Sequence, residues 1–154
     1  MTKSSVNSSY CENFFENIRF STLEVNVGNV GVGGNNPIRV QSMTTADTMD
    51  TEKSIAESIR MIDAGCEIVR LTAPSKKDAL NLANIKKGLL DQGYDTPLVA
   101  DIHFTPNAAE IAATIVEKVR VNPGNYADKK KFEEIDYTDS SYAEELIRIE
   151  EKFT

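Results

Sequence analysis

The stretch EIVRLTAPSKKDALNLANIKKGLLDQGYDTPLVADIHF, residues Glu67 to Phe104, decides the fold class of this chain. A short apolar run near each end is typical of a buried β-strand, and the segment between them has the apolar spacing of an amphipathic helix. Ser75 with Asp78 predicts a capping box at the start of that helix, and Gly93 predicts its end. A strand, a helix and a second strand in this order predict a parallel βαβ unit.

The same alternation extends towards the N-terminus. Residues 38–43 predict a strand, and Asp50 predicts the N-cap of a helix that ends at Gly65. Residues 23–32 alternate apolar with small or polar residues around a Gly-Asn pair, which predicts a β-hairpin. Residues 1–19 are polar and rich in Ser and Asn, and we expect them to form a loosely attached arm.

The alternation also extends towards the C-terminus. Thr105 and Pro106 predict the cap and the first position of a third helix, where the missing N–H of proline costs nothing. Residues 118–125 predict a fourth strand and its exit loop. A final helix is predicted to begin with a capping box made by Ser141 and Glu144.

Four successive strand–helix units predict an α/β fold with parallel strands. Doubly wound sheets and TIM barrels both have this pattern, but a full barrel needs eight units and about 250 residues. The chain has 154 residues. We therefore expect residues 20–154 to form the first half of a TIM barrel, preceded by the hairpin, whose unpaired strand edges something else must complete.

Composition narrows the function classes. A formal net charge of -7 argues against a general affinity for nucleic acid or for an anionic membrane. The sequence contains no apolar run long enough to span a membrane and no secretory signal, so we expect a cytoplasmic protein. With one histidine, Cys11 and Cys66 cannot make a structural zinc site, and we expect both to be reduced thiols.

Polar or sulfur-containing side chains lie at the carboxyl end of every predicted strand. In parallel α/β folds, ligands bind at this end of the sheet because the strand ends and the loops that follow them meet there. The sequence therefore predicts one binding site assembled from four strands. Its candidate residues are Gln41, Met43, Arg70, Asp101, His103, Arg120 and Asn122.

Arg70 and Arg120 interrupt apolar strands, where a guanidinium group is costly unless it meets an anion. Either arginine could satisfy this need through an internal ion pair with Asp101 on a neighbouring strand. Two arginines with Asn122 at one rim of an acidic protein favour instead a phosphorylated or otherwise anionic substrate.

Asp101 and His103 are two residues apart on one predicted strand, so we expect their side chains to share a face. They could act together as acid–base or positioning groups, or form a hydrogen-bonded pair that closes the rim. One imidazole and one carboxylate lack the third ligand that a metal site needs, so we predict no metal site in this chain.

Four segments resemble a known family in order and spacing: IRVQSMTTADTMDT, EIVRLT, PLVADIHF and KVRVNPGNY. They are similar to the amino-terminal half of 4-hydroxy-3-methylbut-2-enyl diphosphate synthase, an iron–sulfur enzyme of the non-mevalonate isoprenoid pathway. The last residues resemble the long, three-domain form of this family. The family often has VQSMTNT, from which this chain departs at Thr45 and Ala46.

The resemblance implies a TIM barrel that binds 2-C-methyl-D-erythritol 2,4-cyclodiphosphate, in a full-length protein expected to be a homodimer. Reductive ring opening and dehydroxylation would then use two electrons from ferredoxin or flavodoxin. By resemblance, Asp101 and His103 are the catalytic candidates, and the remaining candidates bind the substrate. Of these, Arg70, Arg120 and Asn122 match positions that grip the diphosphate, while Gln41 and Met43 match rim positions around the substrate.

The resemblance also implies a 4Fe–4S cluster, held by three cysteines and a glutamate in a separate carboxyl-terminal domain. Cys11 and Cys66 do not match those positions, so we expect the chain to be inactive alone. Two other interpretations remain at this point. One is a dihydropteroate synthase-like transferase that binds phosphate and pterin, and the other is a non-catalytic binding module.

Overall fold

The computed structural model of the chain describes Phe15, residues 21–126 and residues 135–153. Apart from Phe15, the predicted arm at residues 1–19, with Cys11, lies outside these residues. The described elements are β1 (Val25–Val27), β2 (Val30–Val32), β3 (Gln41–Met43), α1 (Thr51–Asp63), β4 (Ile68–Thr72), α2 (Lys76–Asp91), β5 (Leu98–Ile102), α3 (Pro106–Ala113), β6 (Lys118–Val121), α4 (Pro123–Tyr126) and α5 (Asp139–Phe153).

The predicted α/β architecture and the predicted hairpin are confirmed. Strands β1 and β2 pair antiparallel, and β3, β4, β5 and β6 form one parallel sheet in chain order. A doubly wound sheet reverses its strand order at a switch point, whereas a barrel places each strand beside the next one along the chain. Within the described residues the sheet follows the barrel pattern.

Helices α1, α2 and α3 pack on one face of this sheet. Because side chains alternate along a strand, every second residue of β4 and β5 points to the helices. The buried core on that face contains Val69 and Leu71 from β4, Leu98 and Ile102 from β5, and Leu82 from α2. The opposite face is therefore left to carry other side chains, as the interior of a barrel does.

The hairpin packs against the amino-terminal part of that opposite face. Val27 is buried against Ile68 and Val99, which face away from the helices. Arg39 links this region to the sheet, because its Nε donates to the carbonyl of Gly31 at 2.8 Å and its Nη1 pairs with Glu67 Oε1 at 2.8 Å. The amino-terminal end of the face is thus filled by apolar side chains, and the carboxyl end is left for polar ones.

The local signals at the helix ends are confirmed for the first two helices. Asp50 caps α1 by accepting from the backbone N of Lys53, and Ser75 with Asp78 forms the capping box of α2. Gly65 and Gly93 follow these helices with φ of +96° and +86°, a conformation that residues with a Cβ rarely adopt.

Two predicted strand limits are wrong. Strand β3 covers only Gln41–Met43, because β4 begins at Ile68, which lies opposite Gln41, and residues 38–40 therefore precede the paired region. Strand β5 ends at Ile102, so His103 lies just beyond the strand instead of on it.

The prediction of an exit loop after β6 is also wrong in part. Pro123–Tyr126 forms the short helix α4, in which Tyr126 N donates to the Asn122 carbonyl at 2.9 Å. Proline suits the first position of such a turn because its φ is already helical and no N–H is needed there.

Thr105 is the N-cap residue of α3 and Pro106 its first residue, as predicted, although the Thr105 hydroxyl makes no cap bond and donates to the Pro74 carbonyl at 3.1 Å. One predicted cap is wrong. Ser141 lies inside α5 instead of capping it with Glu144. The capping hydroxyl belongs to Thr138, which accepts from Ser141 N at 3.3 Å while Ser141 Oγ accepts from Thr138 N at 2.9 Å.

Across the described residues, none of the helices combines the length and the apolar character that crossing a membrane requires.

Candidate functional site

Strand register brings the predicted site residues to one face of the sheet. Met43 lies opposite Arg70, and Asp101 lies opposite Arg120 on the neighbouring strand. Arg70 and Asp101 are on the same face because Asp101 pairs with Thr72, two residues beyond Arg70. This is the face that the helices do not cover.

Asp101 is the centre of the site, and its side chain is only 1% exposed. Its Oδ2 accepts from Nε of Arg70 at 3.0 Å and also from Nη2 of the same arginine, while its Oδ1 accepts from Nη1 of Arg120 at 3.0 Å. The internal ion pair that the sequence left open is therefore formed by both arginines. A buried carboxylate needs such partners, because removing an unpaired charge from water costs on the order of several kcal/mol.

The ion pairs do not neutralise all of the positive charge of the site. One carboxylate faces two guanidinium groups, so one positive charge remains unbalanced within this three-residue cluster. The side chains of Arg70 and Arg120 are 26% and 38% exposed, so both remain accessible from solvent. An anion can therefore approach both arginines without displacing Asp101.

His103 lies beside this cluster without a hydrogen bond to Asp101. Its Nε2 is 3.9 Å from Asp101 Oδ2, which is too long for a hydrogen bond, and its side chain is 39% exposed. Its ring lies 6.0 Å from that of Phe104, measured between centroids. Of the two roles that the sequence left open for these residues, the hydrogen-bonded pair is therefore not formed.

The other candidates share the face without joining the ion pairs. Gln41 and Met43 are exposed on β3, opposite Ile68 and Arg70 in register. Asn122 follows β6 directly and is partly buried. Register thus places Gln41 beside the apolar, amino-terminal part of the face and Met43 beside Arg70, and hydrogen bonds join Arg70, Asp101 and Arg120.

Glu57 of α1 is a further residue at this rim that no sequence pattern indicated. Its Oε2 accepts from the backbone N of Thr45 at 3.0 Å and of Ala46 at 2.8 Å, and its Oε1 accepts from the Thr45 hydroxyl at 2.9 Å. Burial raises the pKa of Glu57, but these bonds and the nearby Arg60 outweigh that effect and leave the pKa below its ordinary 4.5.

The described residues do not fit an iron–sulfur cluster. Such clusters need several thiolates, and no group of three His, Cys, Asp or Glu side chains that could hold a metal ion occurs in the described part of the chain. Cys66 is buried, and its Sγ lies 3.0 Å from the Ile68 carbonyl. This thiol has the environment of a structural core residue.

Comparison with known proteins identifies a matching protein family and several close relatives. The sequence model of the GcpE TIM-barrel domain matches residues 22–150. The chain is 56% identical over 147 residues to a protein of Akkermansia muciniphila named 4-hydroxy-3-methylbut-2-en-1-yl diphosphate synthase (flavodoxin), covering 96% of this chain and 25% of that protein.

Two further relatives carry the same name. The protein of Protochlamydia amoebophila is 55% identical over 150 residues, covering 97% of this chain and 23% of that protein. The protein of Leptospira interrogans is 54% identical over 149 residues, covering 97% of this chain and 22% of that protein. The chain thus spans about a quarter of the length of the curated relatives that it matches.

Proposed function

The chain belongs to the GcpE TIM-barrel family, and from this premise we propose that it is the substrate-binding part of a 4-hydroxy-3-methylbut-2-enyl diphosphate synthase. The reaction is the reductive ring opening and dehydroxylation of 2-C-methyl-D-erythritol 2,4-cyclodiphosphate. Three relatives bear the name of this enzyme. Residues 20–154 would form the first half of its barrel domain.

The cluster of Arg70, Asp101 and Arg120 is the observation that carries this proposal. Two arginines that share one buried carboxylate form a rigid site with an excess positive charge. Guanidinium groups bind phosphate oxygens through paired hydrogen bonds, so a ligand with two phosphate groups suits this site well. Asn122 lies after β6 on the same face and would bind the same diphosphate.

The remaining candidates would surround the rest of the substrate. Gln41 offers an amide, and Met43 offers an apolar side chain to the carbon skeleton. His103, which is partly exposed beside the cluster, would hold or transfer a proton at a substrate oxygen. Asp101 would act at the same centre by orienting the arginines, since both of its oxygens are bonded to them.

Electron transfer would need parts that the described residues do not supply. A bound 4Fe–4S cluster provides the electrons for such reductions, and the resemblance assigns its ligands to a separate carboxyl-terminal domain. The relatives' names include flavodoxin, so we propose flavodoxin as the electron donor. Cytoplasmic location and a homodimer of the full-length protein remain predictions.

The dihydropteroate synthase-like alternative has no observation in its favour. The family match covers residues 22–150 and names a different barrel family. The non-catalytic alternative predicts that variants of the arginine cluster have no effect on turnover, so the same experiment tests it.

Turnover by a chimaeric enzyme tests this proposal. Residues 22–150 of this chain replace the aligned part of the Akkermansia muciniphila relative, and turnover of the cyclodiphosphate is measured without oxygen, with reduced flavodoxin. The chimaera is expected to be active. Arg70→Ala or Arg120→Ala should each lower kcat/KM about 10- to 100-fold, because each removes charge-assisted hydrogen bonds to the substrate.

Arg60→Ala is the matched control, since Arg60 is an exposed arginine on α1. Arg70→Lys separates charge from geometry, because lysine keeps the charge but loses the paired hydrogen bonds. Equal kcat/KM for Arg70→Ala, Arg120→Ala and Arg60→Ala would refute the anion site. An inactive wild-type chimaera would refute the proposed function as a whole.

A further inference from the structure

The loop between β3 and α1, residues 44–50, forms the edge of the site beside Arg70. Thr44 N donates to the Arg70 carbonyl at 2.9 Å, and the Thr48 hydroxyl donates to the Thr72 carbonyl at 2.6 Å. Both bonds attach the loop to β4, the strand that carries Arg70. A shift of this loop would therefore disturb the rim of the site directly.

Glu57 holds the middle of this loop. Its two oxygens accept three hydrogen bonds, from the backbone N–H groups of Thr45 and Ala46 and from the Thr45 hydroxyl. The Glu57 side chain itself is only 14% exposed. Charge-assisted hydrogen bonds of this kind are among the stronger ones in proteins.

Glu57 is not needed for the helix on which it lies. The N-cap of α1 is already Asp50, which accepts from Lys53 N at 3.2 Å. The contact of Glu57 with Arg60, at 3.4 Å, involves an exposed arginine, and pairs of this type contribute little. The carboxylate is thus used chiefly by the loop.

Two successive backbone N–H groups that point to one place form an anion-binding concavity. In this chain the carboxylate of Glu57 occupies that concavity at Thr45 and Ala46. If Glu57 were absent, both N–H groups would lose their partner, and the loop would be free to adopt other conformations next to Arg70.

We propose that Glu57 is a positioning residue, which fixes the loop at residues 44–50 so that Met43 and Thr44 keep their places beside Arg70 when an anionic substrate binds. This inference rests on the proposed function. It adds a residue that never contacts the ligand and acts through the backbone of the loop.

Kinetics in the chimaeric enzyme provide the first test. Glu57→Ala is expected to raise KM for the cyclodiphosphate about tenfold and to change kcat less than about threefold, because the loop shapes the binding site and takes no part in the chemistry. Thr45→Val removes one of the three bonds and should raise KM by a smaller factor. Glu52→Ala, at an exposed position of the same helix, is the control and should leave KM unchanged.

Hydrogen exchange in the chimaeric enzyme provides the second test. In Glu57→Ala the amides of Thr45 and Ala46 should exchange at least about tenfold faster, while amides inside α1 keep their rates. Glu57→Gln keeps the shape of the side chain and one acceptor oxygen, so it should restore part of the protection and part of the substrate affinity.

Failure of the proposed function and failure of the role of Glu57 give different results. An inactive wild-type chimaera would refute the proposed function and the inference with it. An active chimaera in which Glu57→Ala leaves KM unchanged would refute only the role of Glu57. A lower KM for Glu57→Ala would also overturn it, because the carboxylate would then be competing with the substrate for the loop.

Discussion

At the residue scale, Asp101 organises the candidate site. The sequence placed Arg70, Asp101 and Arg120 at neighbouring strand ends, and the structure brings all three into contact. Sequence patterns could not choose between an ion pair and a free anion site. That choice depends on strand register, which places Asp101 opposite Arg120 and within reach of Arg70.

Removing the charge of Asp101 is expected to destabilise the fold. Asp101→Asn leaves two guanidinium groups beside a neutral amide at a buried position, which should lower the free energy of unfolding by about 3 to 5 kcal/mol. Urea unfolding measures this change. Asp91→Asn is the control because Asp91 pairs with Lys87 at an exposed site, where about 1 kcal/mol or less is expected. Similar losses in the two variants would contradict the central role of Asp101.

At the element scale, local signals predicted a helix start well when a single capping side chain lay near it. Asp50 and the Ser75/Asp78 box were predicted correctly. The cap of α5 was not, because Thr138, Ser140 and Ser141 all lie near its start. At α3 the predicted N-cap residue, Thr105, is correct, but its hydroxyl bonds to Pro74, across 31 positions of sequence, and no local pattern reports such a partner.

Loss of the capping box of α2 is expected to destabilise the fold. Ser75→Ala removes the hydroxyl that accepts from the backbone N–H groups of Lys77 and Asp78, and should lower the free energy of unfolding by about 1 kcal/mol. Chemical denaturation measures the change. Ser42→Ala on β3, where the serine is exposed, serves as control and should stay within about 0.5 kcal/mol of the wild type. If both variants behaved alike, the cap would not stabilise α2.

At the scale of the whole molecule, ion pairs far from the site join the elements at the amino-terminal end of the sheet. Glu117, just before β6, pairs with Lys86 of α2 at 2.6 Å and accepts from Leu98 N of β5 at 2.9 Å. Burial raises the pKa of Glu117, but the hydrogen bonds from Lys86 and Leu98 outweigh it and leave the pKa below 4.5.

This lowered pKa predicts a pH dependence of stability. The unfolded chain binds a proton at Glu117 more readily than the folded chain, so the contribution is fully present above about pH 5 and is lost as the pH falls below 4.5 through the lowered value. Glu117→Gln should therefore show a flatter rise of the free energy of unfolding between about pH 3 and pH 5. Glu52→Gln, at an exposed position of α1, should keep the wild-type slope. Equal slopes in both variants would contradict the assignment.

Local sequence patterns were enough to predict the α/β class, the order of strands and helices, the hairpin and the concentration of polar residues at the strand ends. These features depend on periodicity and on turn residues, which are local along the chain. Only the tertiary structure decided that Arg70 and Arg120 share Asp101, that His103 lies past the strand, and that Glu57 reaches back to Thr45 and Ala46. Each of these contacts depends on the register and packing of elements distant in sequence, and no local pattern encodes the distance between them.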